Sequence, residues 1–378
     1  AYLQTVLQGL RNQKISEQAY SIIKEVERLG KHLFVYSEHM KRLGQHLDTT
    51  VSSYNKAGKE LQKIDKDVVK LTAGEAKIEI EEVDQFAIKE SLPLLVLGEG
   101  TNIVPHDYVK AVVAILDLKG MGISDYHLKA EARERWDDVV RFAVEHGLSG
   151  IEALSAIPGT TGAAPIQNIG AYGSEVSNCI EYVEAYDRVK KGFVVLNKKE
   201  CQFGYRNSLF KKNPEKFIVV SVVLKLSKNK PLIPRYKDVE NYFNEKNNES
   251  PNLEEIREAI IKIRRNKLPD PNITPNVGSY FTNPILEKRG AALIKNRFPE
   301  MPSFLFEEKL RVPAGWLIES VGLKGVKIGE IQISPNNALI LTNPDRAGFE
   351  EIQYAENFIK QQVFQRFGIN LVREPVII

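Results

Sequence analysis

The sequence predicts an α+β fold preceded by a helical coiled coil, and three observations carry that expectation. Apolar residues recur every seven positions from residue 19 to residue 72. After Gly74 the segments become short, β-branched and punctuated by Gly, Pro and Asn. From about residue 82 onward, long glycine-rich loops with hardly a charge separate those segments. The 378 residues are 43% hydrophobic and 27% charged, enough for two or three domains with a sizeable core. Runs such as 217–226 are about half the roughly 20 residues that span a bilayer, so no membrane span is expected. Net charge is +3, from 52 Lys+Arg against 49 Asp+Glu, and residues 1–90 carry 14 of each. That balance gives no electrostatic case for nucleic-acid binding. Cys179 and Cys201 stand alone without a C-x-x-C, which fits a reducing cytoplasm. The chain starts at Ala1 without an initiator Met, as expected of a fragment or a processed product.

The heptads come first. Val26, Leu33, Met40, Leu47, Tyr54, Leu61 and Val68 form one apolar series. Ile22, Leu29, Tyr36, Leu43, Thr50, Ala57, Ile64 and Leu71 form the other, three residues out of step. These are a and d positions sustained over about seven heptads, a pattern that predicts self-association through the seam. Gly30, Gly44 and Gly58 each weaken a helix by about 1 kcal/mol relative to Ala, so bends are expected there. His32, His39 and His46 share the period and read as solvated flanking positions, since no carboxylate or thiol completes a metal site. Beyond Gly74, residues 92–97, 112–116, 193–196 and 217–226 read as strands, and 136–146, 253–265 and 349–367 as helices. A helix end is expected at 83–90, and the alternation of Ile78 and Ile80 offers one further strand within 75–82.

The loops carry the chemistry. Gly98, Glu99, Gly100, Thr101 and Asn102 follow a buried strand, and successive N–H groups in such a turn either cradle phosphate or close an ordinary tight turn. This is not a dinucleotide-fold fingerprint, because Ile103 stands where a third glycine would and Pro105 opposes an immediate helix. Residues 157–173 read IPGTTGAAPIQNIGAYG, which suits a backbone pressed against a large flat ligand or a buried connection between subdomains. In Phe203-Gly204-Tyr205-Arg206 a guanidinium beside aromatic residues either clamps a carboxylate or phosphate or forms a surface ion pair. Lys267-Leu268-Pro269-Asp270-Pro271 stiffens the approach to the glycine-hinged Ser279. No G-x-S-x-G elbow is present and every His precedes this serine, so a serine hydrolase is not expected. A serine that donates a proton, with Lys267 near it, is chemically permissible. Glu374 lies in an apolar, strand-like tail, where a carboxylate needs a partner or a job.

Taken together and in this order, the run from Gly147 to Gly173, FGYR, KLPDP followed by NVGSYFTNP, and AGWLIESVGLKG with Gly329 resemble the UDP-N-acetylenolpyruvoylglucosamine reductase (MurB) family of flavoenzymes over about residues 82–378. The resemblance implies a two-subdomain, PCMH-like FAD-binding fold over 91–268. It further implies an α+β substrate-binding domain over 269–372 and a C-terminal strand, 373–378, returning a catalytic Glu. It places FAD against Gly98, Glu99, Gly100, Thr101 and Asn102, and against Ile157, Pro158, Gly159, Thr160, Gly162, Ala163, Gln167, Asn168, Ile169 and Gly170. Tyr172, Tyr205, Tyr236, Lys267, Asn283 and Asn337 fall at substrate-side positions; relatives often carry Gln at the last of these. The loop around Tyr236 looks like the subclass whose tyrosine folds over the substrate. Arg206 and Glu374 fall at the polarising positions and Ser279 at that of the proton donor. The implied reaction is cytoplasmic reduction of UDP-N-acetylglucosamine enolpyruvate to UDP-N-acetylmuramate in peptidoglycan precursor synthesis, with NADPH as co-substrate and no metal.

The resemblance fails at the front, where the family's first β–β–α unit is missing. Residues 2–74 instead resemble the C-terminal tail of RmuC-family proteins, whose nuclease-like region would lie upstream. Residues 75–90 form the junction, expected of a gene fusion or an assembly artefact. FAD is accordingly expected to be held more weakly than in an intact relative. A second reading, from a different class, is a coiled-coil interaction protein carrying an inactive, truncated reductase scaffold. A covalent-flavin oxidase is disfavoured because no His occurs in 98–102 or 157–173.

Overall fold

The computed structural model describes residues 74–378; the heptad segment, its histidine period and the RmuC-like stretch lie outside the described residues. Helix α1 spans Gly74–Lys89 and corrects the strand expected within 75–82. Its run GEAKIEIEEVDQFAIK is dense in Ala, Glu and Lys, which favour helix. Ile80, Asp84 and Ala87 are buried at helical spacing. Ile80 and Ala87 pack with Leu94, Tyr186, Ile218 and Val220, and Asp84 accepts from Nε of Arg188 at 2.9 Å.

Three strands follow: β1 (Leu94–Val96), β2 (Ile103–Val104) and β3 (Val112–Ala114). β1 and β3 make a two-stranded parallel sheet. The next block holds β4 (Met121–Ser124), β5 (His127–Glu131), helix α2 (Trp136–Glu145), the small hairpin β6 (Gly170–Ala171) and β7 (Ser174–Glu175), then β8 (Ile180–Asp187), β9 (Gly192–Asn197), the short α3 (Leu209–Lys212) and β10 (Phe217–Lys225). Its five-stranded sheet runs β4-β5-β10-β8-β9, with every pairing antiparallel. Trp136, Val139, Val140 and Ala143 form the buried face of α2, in one core with Leu128, Val183, Val222 and Leu224. Helices α4 (Lys237–Glu245) and α5 (Leu253–Lys267) share a smaller core. A capping box between Asn252 and Glu255 starts α5, and its Arg257 grips Asp137 of α2 through two bonds of 2.6 and 2.8 Å.

The last block comprises β11 (Asn276–Ser279), β12 (Ile285–Leu286), α6 (Lys288–Arg297), β13 (Phe304–Phe306), β14 (Lys309–Arg311), α7 (Ala314–Ser320), β15 (Lys327–Ile328), β16 (Ile331–Ile333), β17 (Ile340–Thr342), α8 (Phe349–Phe367) and β18 (Val376–Ile377). Its sheets are β11-β17-β16-β15 and β12-β14-β13. Phe349, Ala355, Ile359, Val363 and Phe367 turn one face of α8 into the core, and Gly368 ends the helix at φ +67°. The tail then crosses back so that β18 pairs in parallel with β2. Among the described residues, no helix is long and apolar enough to cross a membrane.

Candidate active site

The two loops expected to meet the cofactor are fastened to each other. Glu99 accepts from the Gly159 N–H at 3.2 Å, and its other carboxylate oxygen lies 3.1 Å from Nε of Arg135. Asn102 donates from Nδ2 to Oε1 of Gln167 at 2.6 Å. Gly98 lies so close to Thr160 that a Cβ there would sit 2.5 Å from its Oγ1. Among the described residues, none accepts a hydrogen bond from the backbone N–H groups of Gly98, Glu99, Gly100, Thr101 or Asn102. Gly100, at φ +70°, turns the chain in the middle of that run. Successive unpaired N–H groups are a suitable cradle for a diphosphate, so these residues fit the anionic bridge of FAD.

The longer loop divides its labour. Thr160, Asn168 and Ile169 are buried, whereas Ile157, Pro158, Gly162, Ala163, Gln167 and Gly170 keep accessible surface. Asn168 donates to Glu175 Oε2 at 2.8 Å and to the Gly204 carbonyl at 3.1 Å, and accepts from the Ser177 N–H at 3.0 Å. Its N–H donates to the Pro165 carbonyl at 3.3 Å and its carbonyl accepts from Nη1 of Arg206 at 3.5 Å, so this fully buried residue braces the loop from within.

Arg206 sits in a tight turn at φ +51°, with Gly204 and Asn207 bridged across it. Its Nη2 donates to the Gly170 carbonyl at 2.8 Å, and its Nε lies 3.0 Å from Oε1 of Glu374. That ion pair is close but not aligned, so the buried Nε–H has no hydrogen-bond acceptor. Glu374 reaches the site on the returning tail, where its N–H donates to the Tyr280 carbonyl at 2.9 Å. Ser279, at the end of β11, is therefore the chain neighbour of the residue that holds Glu374. Burial pushes the Glu374 carboxyl above its ordinary range, against the pull of Arg206 and Lys211. Lys211 donates to the Arg206 carbonyl at 3.2 Å, and burial lowers its own pKa. The sequence carried only a weak signal for it, a lysine five residues beyond Arg206.

At the positions expected to face substrate, the rings of Tyr172 and Tyr236 meet edge to face with centroids 5.3 Å apart. Burial pushes the Tyr172 phenol to about 12, opposed by the neighbouring Arg264. Arg264 donates from Nε to the Ala156 carbonyl at 3.2 Å; nothing in the sequence separated it from the other basic residues of α5. Tyr236 precedes α4, and Asp238 in that helix's first turn is hydrogen-bonded to Lys267 at the end of α5. The Asn283 N–H donates to Tyr205 Oη at 3.2 Å, while its Oδ1 accepts from the Ala314 N–H and holds the start of α7. Asn337 closes a local turn by accepting from the Leu339 N–H at 3.0 Å. None of its side-chain hydrogen bonds among the described residues reaches another member of the site. Among the described residues, no cluster of His, Cys, Asp and Glu has the makings of a metal site.

This fold and these paired loops define an FAD-binding protein: a family model described as "FAD binding domain" matches residues 21–194, beginning inside the segment read as coiled coil. A second model, described as "UDP-N-acetylenolpyruvoylglucosamine reductase, C-terminal domain", matches residues 270–378. The UDP-N-acetylenolpyruvoylglucosamine reductase of Pseudomonas aeruginosa is 36% identical over 303 residues, 79% of this chain and 89% of that protein. That of Psychrobacter arcticus is 38% identical over 299 residues, 76% of this chain and 80% of that protein. The solved reductase from Thermus caldophilus shares the fold with a TM-score of 0.52 at 22% identity, covering 78% of this chain and 89% of that one. The chain belongs to the UDP-N-acetylenolpyruvoylglucosamine reductase family.

Proposed function

We propose that this protein is a cytoplasmic oxidoreductase that reduces UDP-N-acetylglucosamine enolpyruvate to UDP-N-acetylmuramate with NADPH and FAD. The observation that carries the reading is Arg206, whose guanidinium contacts both the Gly170 loop and Glu374, and the Glu374 N–H donates to the carbonyl of Tyr280, the residue after Ser279. FAD held by residues 98–102 and 157–170 would supply the hydride chemistry between NADPH and the terminal carbon of the enol ether. This chain's residues then deal with the charge left on the adjacent carbon and its carboxylate. The guanidinium of Arg206 and the protonation-prone Glu374 stabilise that charge. Ser279 gives its hydroxyl proton to the carbon, a transfer a poor acid makes only to a strongly basic centre. Tyr172, Tyr205, Tyr236, Lys267, Asn283 and Asn337 hold the nucleotide-sugar side.

Retention of Arg206, Ser279 and Glu374 favours the enzyme over the inert scaffold. We further propose an RmuC-like coiled-coil tail at 1–74 that self-associates through 19–72. Replacing Leu33 and Leu47 with Asp would then dissociate the assembly in sedimentation, and a monomer before substitution would exclude the tail's role. The function itself is tested by the visible spectrum and steady-state kinetics of the purified chain. A flavin band with NADPH oxidation that depends on the enolpyruvyl substrate supports it; a colourless, inactive protein supports the scaffold.

A further inference from the structure

Glu356 lies on α8 outside the site just described, yet it touches both of the segments that carry Ser279 and Glu374. It is 2% exposed, a depth at which an ionised carboxylate persists only when paired. Its Oε2 accepts from Tyr280 Oη at 2.8 Å and from Nη1 of Arg373 at 2.7 Å, and its Oε1 takes Lys360. Tyr280 follows Ser279 in the chain and Arg373 precedes Glu374. The backbones of the two segments already meet through the Glu374 N–H on the Tyr280 carbonyl and a bridge between Phe281 and Arg373. One carboxylate therefore ties together the side chains flanking the proton donor and the polarising acid.

The core does not require this arrangement. Phe349, Ala355, Ile359, Val363 and Phe367 supply the packing face of α8, and apolar replacement of a buried ion network is often neutral or stabilising. Lys360, Arg373 and Tyr280 overcome burial and keep the Glu356 carboxyl below its ordinary range, so the tie is ionic under working conditions.

We propose that Glu356 is a positioning residue that sets Ser279 against Glu374 by clamping Tyr280 and Arg373 across the seam where their two segments meet. The proposal rests on the roles assigned above to Ser279 and Glu374.

The test uses the full-length holoenzyme with Glu356→Gln and, separately, Tyr280→Phe. Hydrogen–deuterium exchange is followed over residues 276–283 and 371–376, beside the two half-reactions. Faster exchange is expected in both segments, by about tenfold, with the FAD-binding domain unchanged. Reoxidation of the flavin by the enolpyruvyl substrate should slow about 10- to 100-fold, the scale of a sub-ångström to 1 Å misplacement, while bleaching by NADPH stays within about twofold. Unchanged exchange and unchanged half-reactions, or exchange that rises uniformly, would overturn the proposal. Should Glu356→Gln not fold, Tyr280→Phe decides alone, because it leaves Glu356 paired with Arg373 and Lys360. If the unsubstituted protein bleaches with NADPH but is not reoxidised by the enolpyruvyl substrate, the functional reading fails, and the exchange pattern still decides whether Glu356 clamps the seam.

Discussion

Nε of Arg206 lies 3.0 Å from Oε1 of Glu374, while Nη2 of the same guanidinium donates to the Gly170 carbonyl at 2.8 Å. One planar fork thus connects the Gly170 loop with the C-terminal tail. The left-handed backbone of Arg206, at φ +51°, is the strained conformation that aims it.

Glu374→Gln keeps the shape of the acid but removes its charge and its proton. Turnover should fall about 10²- to 10⁴-fold, the range for a positioned electrostatic or acid–base group, with substrate affinity changed less. Poor binding with normal turnover would make Glu374 structural instead.

The same substitution has a signature in stability. Burial raises the folded pKa of Glu374 above the ordinary 4.5, so between those values the folded state holds a proton the unfolded chain has released. Stability from this residue is therefore present below pH 4.5 and lost as pH rises through the folded pKa. The Tm of the unsubstituted protein relative to Glu374→Gln should fall as pH rises across that window and then level off. A difference independent of pH would contradict the assignment.

Gly162→Ala should disturb the cofactor cradle from behind. A Cβ at Gly162 would meet Ala132 Cβ at 2.8 Å and Ala132 Cα at 3.2 Å, and backbone cannot swing aside as a long side chain would. Overpacking of this kind costs about 1–3 kcal/mol. Urea unfolding should register that loss, and the purified variant should retain less flavin per chain.

Lys267→Met removes the cation hydrogen-bonded to Asp238 beside Tyr236. With Lys267 on the nucleotide-sugar side, KM for the enolpyruvyl substrate should rise about tenfold or more, the scale of one hydrogen bond to a charged group. Flavin bleaching by NADPH should not change, and a slowed bleach would move Lys267 to the cofactor side.

Much of this architecture was legible because its signals are local. The strand expected at 217–226 is β10, Phe217–Lys225, and the helix expected at 349–367 is α8 with a glycine at each flank. The glycine loops and the order of FGYR, Ser279 and Glu374 also stood in plain view. What failed was the Ile78 and Ile80 alternation, overruled by helix-favouring neighbours and by burial at 80, 84 and 87. What was hidden is tertiary. No sequence pattern pairs β18 with β2, commits the Asn168 amide to Glu175 and Ser177, or brings Glu356 to Tyr280 and Arg373. Each depends on segments distant in the chain or on a side chain whose partners only the fold supplies.

The most direct test of the account is anaerobic stopped-flow absorbance on Ser279→Ala, read at the flavin band in both half-reactions. Ser279, as the proposed proton donor to substrate, would act only in the second half-reaction, so NADPH should bleach the variant at close to the normal rate. The enolpyruvyl substrate should then fail to restore the colour. Equal loss of both half-reactions, or full recovery of the colour, would contradict the account.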